Sequence, residues 1–284
     1  MNGTAKRLAV ADHSRDSAGM TYVYPVLSRR AGGVSIGINL NPNNACNWRC
    51  IYCQVPGLRR GSAPRIDLAL LEQELNSFIE GVQQGDFMAS RVPEGARRIV
   101  DIAFSGNGEP TSAAAFPQAV EIAGKALRAH ELDAKVKIRL ITNGSMFGRS
   151  RVQEGVRRLG ELNGEVWFKV DAGTREGFQR INGADQTPEA VIRNLRRSAA
   201  LCATWVQTCL FALDGLGPSA EDLAAYLSLL RRANIGTLAG VHLYGLARPS
   251  MQAEAKRISS LPPERMKEIA VLIGSTGLTV QVSP

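Results

Sequence analysis

Apolar, β-branched runs recur along the chain at Val34–Leu40, Ile99–Ser105, Val136–Thr142, Glu165–Asp171, Thr204–Leu213 and Leu238–Tyr244. Each is short and nearly continuous, the pattern of a strand buried on both faces. Segments of helical period lie between them. Leu68, Leu71, Leu75, Phe78, Ile79 and Val82 fall on one helix face. Thr187-Pro188-Glu189 supplies an N-cap, a proline at the first helical position and a first-turn acid ahead of Val191 and Leu195. Ser219 opens a helix carrying Leu223, Tyr226, Leu227 and Leu230, and Pro263-Glu264 another with Met266, Ile269 and Leu272. Six strands alternating with helices predict βαβ units, a parallel sheet and the α/β class. The length suits a barrel or a partial barrel, with a doubly wound sheet as the alternative. In either architecture ligands bind at the carboxyl ends of the strands.

No internal repeat or linker divides the chain. The polar, small opening predicts a flexible segment over residues 1–20. Residues 21–284 then form a single domain, with a core over about 34–245 and a C-terminal helix and short strand over 262–284. Hydrophobic residues make up 44% and charged residues 21%, which excludes wholesale disorder. No run approaches the ~20 apolar residues that span a bilayer. The opening MNGTAKRLAVADHSRDSAGM has no signal-peptide stretch. These features point to a cytoplasmic protein with no membrane partner. The net charge is +8, and 27 of the 34 basic residues are arginine. That excess suits either a solvated surface or a polyanionic partner, because arginine grips phosphate bidentately and stacks on bases.

The five cysteines are too few for a disulfide scaffold at this size. Three of them, Cys46, Cys50 and Cys53, follow the first strand as C-x3-C-x2-C in NPNNACNWRCIYCQ. Zinc sites usually take a fourth ligand, and His13, His130 and His242 all lie elsewhere in the sequence. A four-iron cluster held by three cysteines keeps one iron open to a small molecule, as a catalytic cluster requires. The second strand ends in Ser105-Gly106-Asn107-Gly108-Glu109-Pro110-Thr111. Gly106 and Gly108 let the backbone approach a ligand, and Glu109 offers an acceptor to an ammonium group. Asn143, in Thr142-Asn143-Gly144, ends the third strand, and Lys169 and Asp171 share a face at the end of the fourth. His242 reads as either a core or a ligand-facing residue, and Arg248 as either a surface or a substrate-binding one. Cys202 and Cys209 read as buried packing.

The cysteine spacing, the aromatic Tyr52 before the last cysteine and the alternating pattern resemble the radical S-adenosylmethionine (SAM) superfamily. The resemblance implies a partial (β/α)6 barrel in which Cys46, Cys50 and Cys53 ligate a [4Fe–4S] cluster. The open iron would be chelated by the amino and carboxylate groups of S-adenosylmethionine. One electron from the reduced cluster would yield methionine and a 5′-deoxyadenosyl radical that abstracts hydrogen from substrate. A one-electron reductant such as flavodoxin or ferredoxin is implied. By the same resemblance, Tyr52, Gly106, Gly108, Glu109 and Asn143 line the S-adenosylmethionine site. Lys169 would meet its carboxylate, Asp171 its ribose, and the backbone from Leu243 and Tyr244 its adenine.

Tyr24-Pro25-Val26-Leu27-Ser28-Arg29-Arg30 and the run from Phe104 to Thr111 narrow the likeness, as does Phe178-x-Arg180-Ile181-Asn182. The nearest resemblance is to the prokaryotic group classed with wyosine-type tRNA base synthases. No cysteine precedes Cys46, so their second cluster is missing. A tRNA substrate is one expectation, supported by the charge and by Ser28-Arg29-Arg30. An activase that installs a glycyl radical on a partner protein is another. A non-catalytic metal-binding module, with a fourth ligand, is a third.

Overall fold

The computed structural model describes residues 7–9, 19–28 and 32–284. Most of the expected flexible opening, and Arg29 and Arg30, lie outside the described residues. Eight strands form one sheet whose spatial order follows the chain. They are β1 (Val23–Ser28), β2 (Gly33–Asn39), β3 (Ile99–Ser105), β4 (Lys137–Thr142), β5 (Glu165–Lys169), β6 (Ala203–Cys209), β7 (Gly240–Tyr244) and β8 (Val280–Ser283). β1 is antiparallel to β2, and every later pair is parallel. The sheet curls into the expected partial barrel, with β1 and β8 as its edges.

Helices α1 (Leu68–Gln84), α2 (Phe116–Ala129), α3 (Ser150–Glu161), α4 (Arg175–Asn182), α5 (Pro188–Leu201), α6 (Ala220–Arg232) and α7 (Pro263–Gly274) connect the strands. Their termini follow the local signals. The Thr187 side chain caps α5 through Ala190 N–H, and Ser219 and Asp222 close a capping box on α6. The core lies between sheet and helices, where Leu71 and Leu75 of α1 and Val152 and Val156 of α3 meet Ile36, Phe104, Leu140 and Phe168.

The strand pattern does not include β1; it carries Pro25, which suits an edge strand, and it lies at the edge of the sheet. Two strand expectations are corrected. The run Thr204–Leu213 does not stay in the sheet. The Cys209 N–H turns to the Asp171 carboxylate at 2.9 Å, and Ala212–Leu213 pairs instead with Ile258–Ser259. The strand beginning at Glu165 stops at Lys169, two residues short of Asp171.

The inner face of the sheet is polar. Ser35 donates to Asp101, and Arg139 pairs with both Asp101 and, at 3.2 Å, Glu165. Lys137 reaches the same Glu165 at 2.5 Å. The Arg139 guanidinium lies 5.0 Å over the Trp167 ring. His242 is a buried residue held between Trp167 and Trp205, with ring centroids 4.6 and 4.4 Å away.

A second buried acid ties the edge strand to its helix. Glu74 of α1 accepts from the backbone N–H groups of Thr21 (2.7 Å), Tyr22 (2.8 Å) and Val23 (3.2 Å). Glu74→Ala leaves these donors without their acceptor at the entry to β1. It should lower unfolding stability by about 3 kcal/mol. A urea midpoint that does not move at constant m-value would refute this role.

Candidate active site

The segment after β2 carries the three cysteines and almost no regular structure. Its shape is set from outside. The Asn39 Oδ1 accepts from Asn41 N–H and Asn107 N–H, both at 3.0 Å. Asn41 Nδ2 donates to the Ala45 carbonyl at 2.9 Å. Ala45–Cys46 pairs in parallel with Arg59–Arg60. Arg49 and Ile51 N–H donate to the carbonyls of Asn182 and Ile181 at the end of α4, both at 2.9 Å.

A strap over residues 248–254 closes the loop from the other side. Ser250 Oγ donates to the Ile51 carbonyl (2.7 Å), and Met251 N–H to the Cys53 carbonyl (2.9 Å). Arg49 pairs bidentately with Glu254 at 3.1 Å.

Two glycines are required by this packing. A Cβ on Gly108 would sit 2.0 Å from the Ala45 carbonyl oxygen, and one on Gly106, at φ +131°, would sit 2.4 Å from Asn39 Oδ1. Both residues line the cavity; the cysteine loop excludes a side chain at Gly108, and the Asn39 side chain at the end of β2 excludes one at Gly106.

Cys46, Cys50 and Cys53 open into one cavity of about 340 Å³ at the carboxyl ends of the strands. Tyr52, Gly106, Gly108 and Glu109 line it, as do Asn143, Lys169 and Tyr244. The cavity continues down the barrel to Ser35, Asp101 and Arg139. Ten of the twelve expected site residues therefore share one space. Asp171 and Leu243 do not; they line a second cavity, of about 300 Å³, together with residues of α6 and α7.

Among the described residues, no three His, Cys, Asp or Glu side chains converge on a point that could hold a single ion. Three thiols that face one space without meeting at a point suit a multi-iron cluster, in which each cysteine takes its own iron.

Burial pushes the Cys46 thiol up to about 12. It pushes Cys50 up to about 11, against the opposing pull of the Lys169 charge. Glu109 is buried, and desolvation raises its pKa although four donors oppose the shift. These donors are Thr111 N–H (3.1 Å), Thr111 Oγ1 and Thr142 Oγ1 (each 2.6 Å) and Asn143 N–H (2.7 Å). Three bind Oε1 and one binds Oε2, so Oε2 keeps a free lone pair.

Lys169 Nζ donates to the hydroxyls of Tyr52 (2.8 Å) and Tyr244 (2.9 Å). The Tyr52 hydroxyl in turn donates to Asp171 Oδ2 at 2.5 Å. Burial disfavours the ammonium, but Tyr244, Asp171 and Cys50 outweigh it and hold Lys169 well above its ordinary pKa. Lys169 and Asp171 are thus joined through Tyr52.

Asn182 completes the chain. Its Nδ2 donates to Asp171 Oδ2 at 2.7 Å and to Cys50 Sγ at 3.3 Å. Sequence reasoning gave it no role, although it closes the Phe178–Asn182 run quoted above. Nothing local marks the strap either, because its partners lie about 200 positions away. Arg248 lines the cavity and donates to Gln54 Oε1 at 2.8 Å. Cys202 is buried against the Gly164 carbonyl, and Cys209 is buried at the wall between the two cavities.

The pattern of the Radical SAM superfamily matches residues 40–230, which contain the cysteine loop and strands β3 to β6. The chain belongs to the radical SAM superfamily. This family uses a [4Fe–4S] cluster and S-adenosylmethionine, and its members are enzymes.

A relative from Methanocaldococcus jannaschii, "UPF0026 protein MJ1312", is 30% identical over 159 residues, 56% of this chain. The match spans 42% of that relative's length. Among solved structures, TYW1 with a lysine-pyruvate adduct bound superposes with a TM-score of 0.58 at 16% identity, covering 87% of this chain and 74% of that one. A radical SAM methyltransferase from Sphaerobacter thermophilus gives 0.54 at 16% identity, covering 88% and 66%. The His-tagged anSMEcpe with bound AdoMet gives 0.54 at 18%, covering 87% and 63%. At these identities the superpositions establish the radical SAM fold.

Gly108→Ala places a methyl against a backbone carbonyl that cannot swing away. It should destabilise the protein by about 1–3 kcal/mol, read as a lower thermal midpoint. An unchanged midpoint would mean that the cysteine loop is free to move.

Proposed function

We propose that Cys46, Cys50 and Cys53 each ligate one iron of the cluster and that S-adenosylmethionine occupies the open iron and the cavity beside it. The reading rests on one observation: the three thiols open into the same space as Glu109, Asn143, Lys169 and Tyr244. When bound, the cluster and S-adenosylmethionine supply a hydrogen-abstracting radical.

The chain's own residues hold and orient the cofactor. Glu109 faces its ammonium with the free lone pair of Oε2. Lys169 has a third N–H to offer the carboxylate. Asp171 acts through Tyr52, whose ring and hydroxyl it fixes. Tyr244, Gly245 and Leu246 wall the adenine. A flavodoxin or ferredoxin supplies the electron. The thiolate-ligated cluster suits the reducing cytoplasm, and among the described residues no helix is long and apolar enough to cross a membrane.

The test is anaerobic cluster reconstitution followed by titration with S-adenosylmethionine. Cys46→Ala, Cys50→Ala and Cys53→Ala should each abolish the iron–sulfur absorbance and 5′-deoxyadenosine formation, while Cys202→Ala keeps both. Glu109→Ala should keep the cluster and weaken S-adenosylmethionine binding about ten- to a hundredfold. A triple alanine variant that still binds a four-iron cluster would sink the assignment.

For the substrate we propose a nucleic acid, tRNA in the first instance, on the +8 charge and its arginine bias. Binding of bulk tRNA should then weaken with salt, with a log–log slope of about −0.7 to −0.9 per phosphate contacted. Salt-insensitive or absent binding would return the charge to a solvated surface and favour a protein or small-molecule substrate.

A further inference from the structure

We infer that Asn182 tunes the cluster through the Cys50 sulfur, making the cluster easier to reduce. The inference rests on the reading that Cys50 is an iron ligand. Asn182 is the last residue of α4 and is fully buried. The chain turns immediately after it, with Gly183 in the left-handed region at φ +55°. Its carbonyl accepts the Arg49 N–H, so backbone and side chain both engage the cysteine loop.

The orientation of its amide follows from chemistry. An asparagine's oxygen and nitrogen have nearly the same shape, and their neighbours decide between them. Here the neighbour is the Asp171 carboxylate, fixed by Tyr52 at 2.5 Å and by Cys209 N–H at 2.9 Å. Its oxygens already accept these two donors, and the amide nitrogen faces Oδ2 as a third, at 2.7 Å. The other N–H of the same group then points to Cys50 Sγ, 3.3 Å away. The amide oxygen is left buried without a partner, so both donors are committed at the expense of the acceptor.

Other side-chain amides beside the loop point elsewhere: Asn47 Nδ2 to Ser145 Oγ at 2.7 Å, and Asn143 Nδ2 to Asn47 Oδ1 at 2.8 Å. A donor on a cluster sulfur stabilises the more negative, reduced state more than the oxidised one. Hydrogen bonds to the sulfurs are accordingly among the protein's levers on cluster potential.

The test is a redox titration of the reconstituted protein, monitored by electron paramagnetic resonance. Asn182→Leu keeps the side chain's size and removes both donors. It should make one-electron reduction about tenfold less favourable, a midpoint about 59 mV lower. A second measurement needs no variant. Asparagine labelled at its side-chain nitrogen should give the reduced cluster of the unaltered protein a weak nitrogen coupling in pulsed resonance spectra.

The outcomes separate cleanly. If the unaltered protein assembles no cluster, or Cys50→Ala keeps one, the ligand assignment falls and this inference falls with it. A cluster that needs Cys50 but has the same midpoint in Asn182→Leu overturns the inference alone. Should Asn182→Leu hold no cluster, the labelled nitrogen decides: a coupling supports the contact with Cys50, and its absence refutes it.

Discussion

The three cysteines stand at i, i+4 and i+7, a spacing that a helix could present on one face, yet the segment that carries them is almost without regular structure and leaves most of its backbone groups unpaired within itself. Its donors and acceptors must be met by the rest of the chain. Here they are met from three directions: the end of α4 takes the N–H groups of Arg49 and Ile51, the 248–254 strap takes the carbonyls of Ile51 and Cys53, and the β3 turn packs against Ala45. The parallel sheet makes this possible, because it brings the ends of β2, β3, β5 and β7 to one rim although they are far apart in sequence. The cysteine loop is therefore a product of the whole fold and not a detachable motif.

The same rim carries buried charge, and each charge has a partner. Glu109 draws on both the turn after β3 and the Thr142-Asn143 turn after β4, so the two turns are held to each other as well as to the cavity. Lys169 stays cationic because tyrosine hydroxyls and the Asp171 and Cys50 groups surround it. A fixed positive charge beneath the cysteine loop favours thiolate at Cys50, where burial alone would oppose it. Tyr52 is the joint of this arrangement. It is both the aromatic of the cysteine motif and the bridge between Lys169 and Asp171.

What the sequence made legible was local. The six core strands, the Thr187 and Ser219 caps and the cysteine spacing depend on residues within a few positions of one another. The reading of Asp171 as cavity-facing applied strand alternation beyond Lys169, where the strand has ended and alternation no longer holds. The strands were read as apolar on both faces. In fact Asp101, Arg139 and Glu165 lie on one face and are tolerated there because they neutralise one another. The role of Asn182 was not legible at all, since its contact with Cys50 joins residues 132 positions apart.

The polar floor of the barrel also limits where a charged substrate can be held. Asp101 and Glu165 face Arg139 and Lys137, two anions against two cations, so this layer has no net charge. The chain as a whole carries +8. The excess must therefore lie away from this layer. An isolated phosphate entering the barrel would compete with carboxylates already in place for Arg139, and would carry the desolvation cost of its own charge. A neutral polar group would meet Ser35, the Asp101–Arg139 pair and the Trp167 ring without displacing an ion pair. The layer of Ser35, Asp101, Arg139 and Trp167 therefore suits a neutral polar group, while the arginine excess of the chain lies outside it.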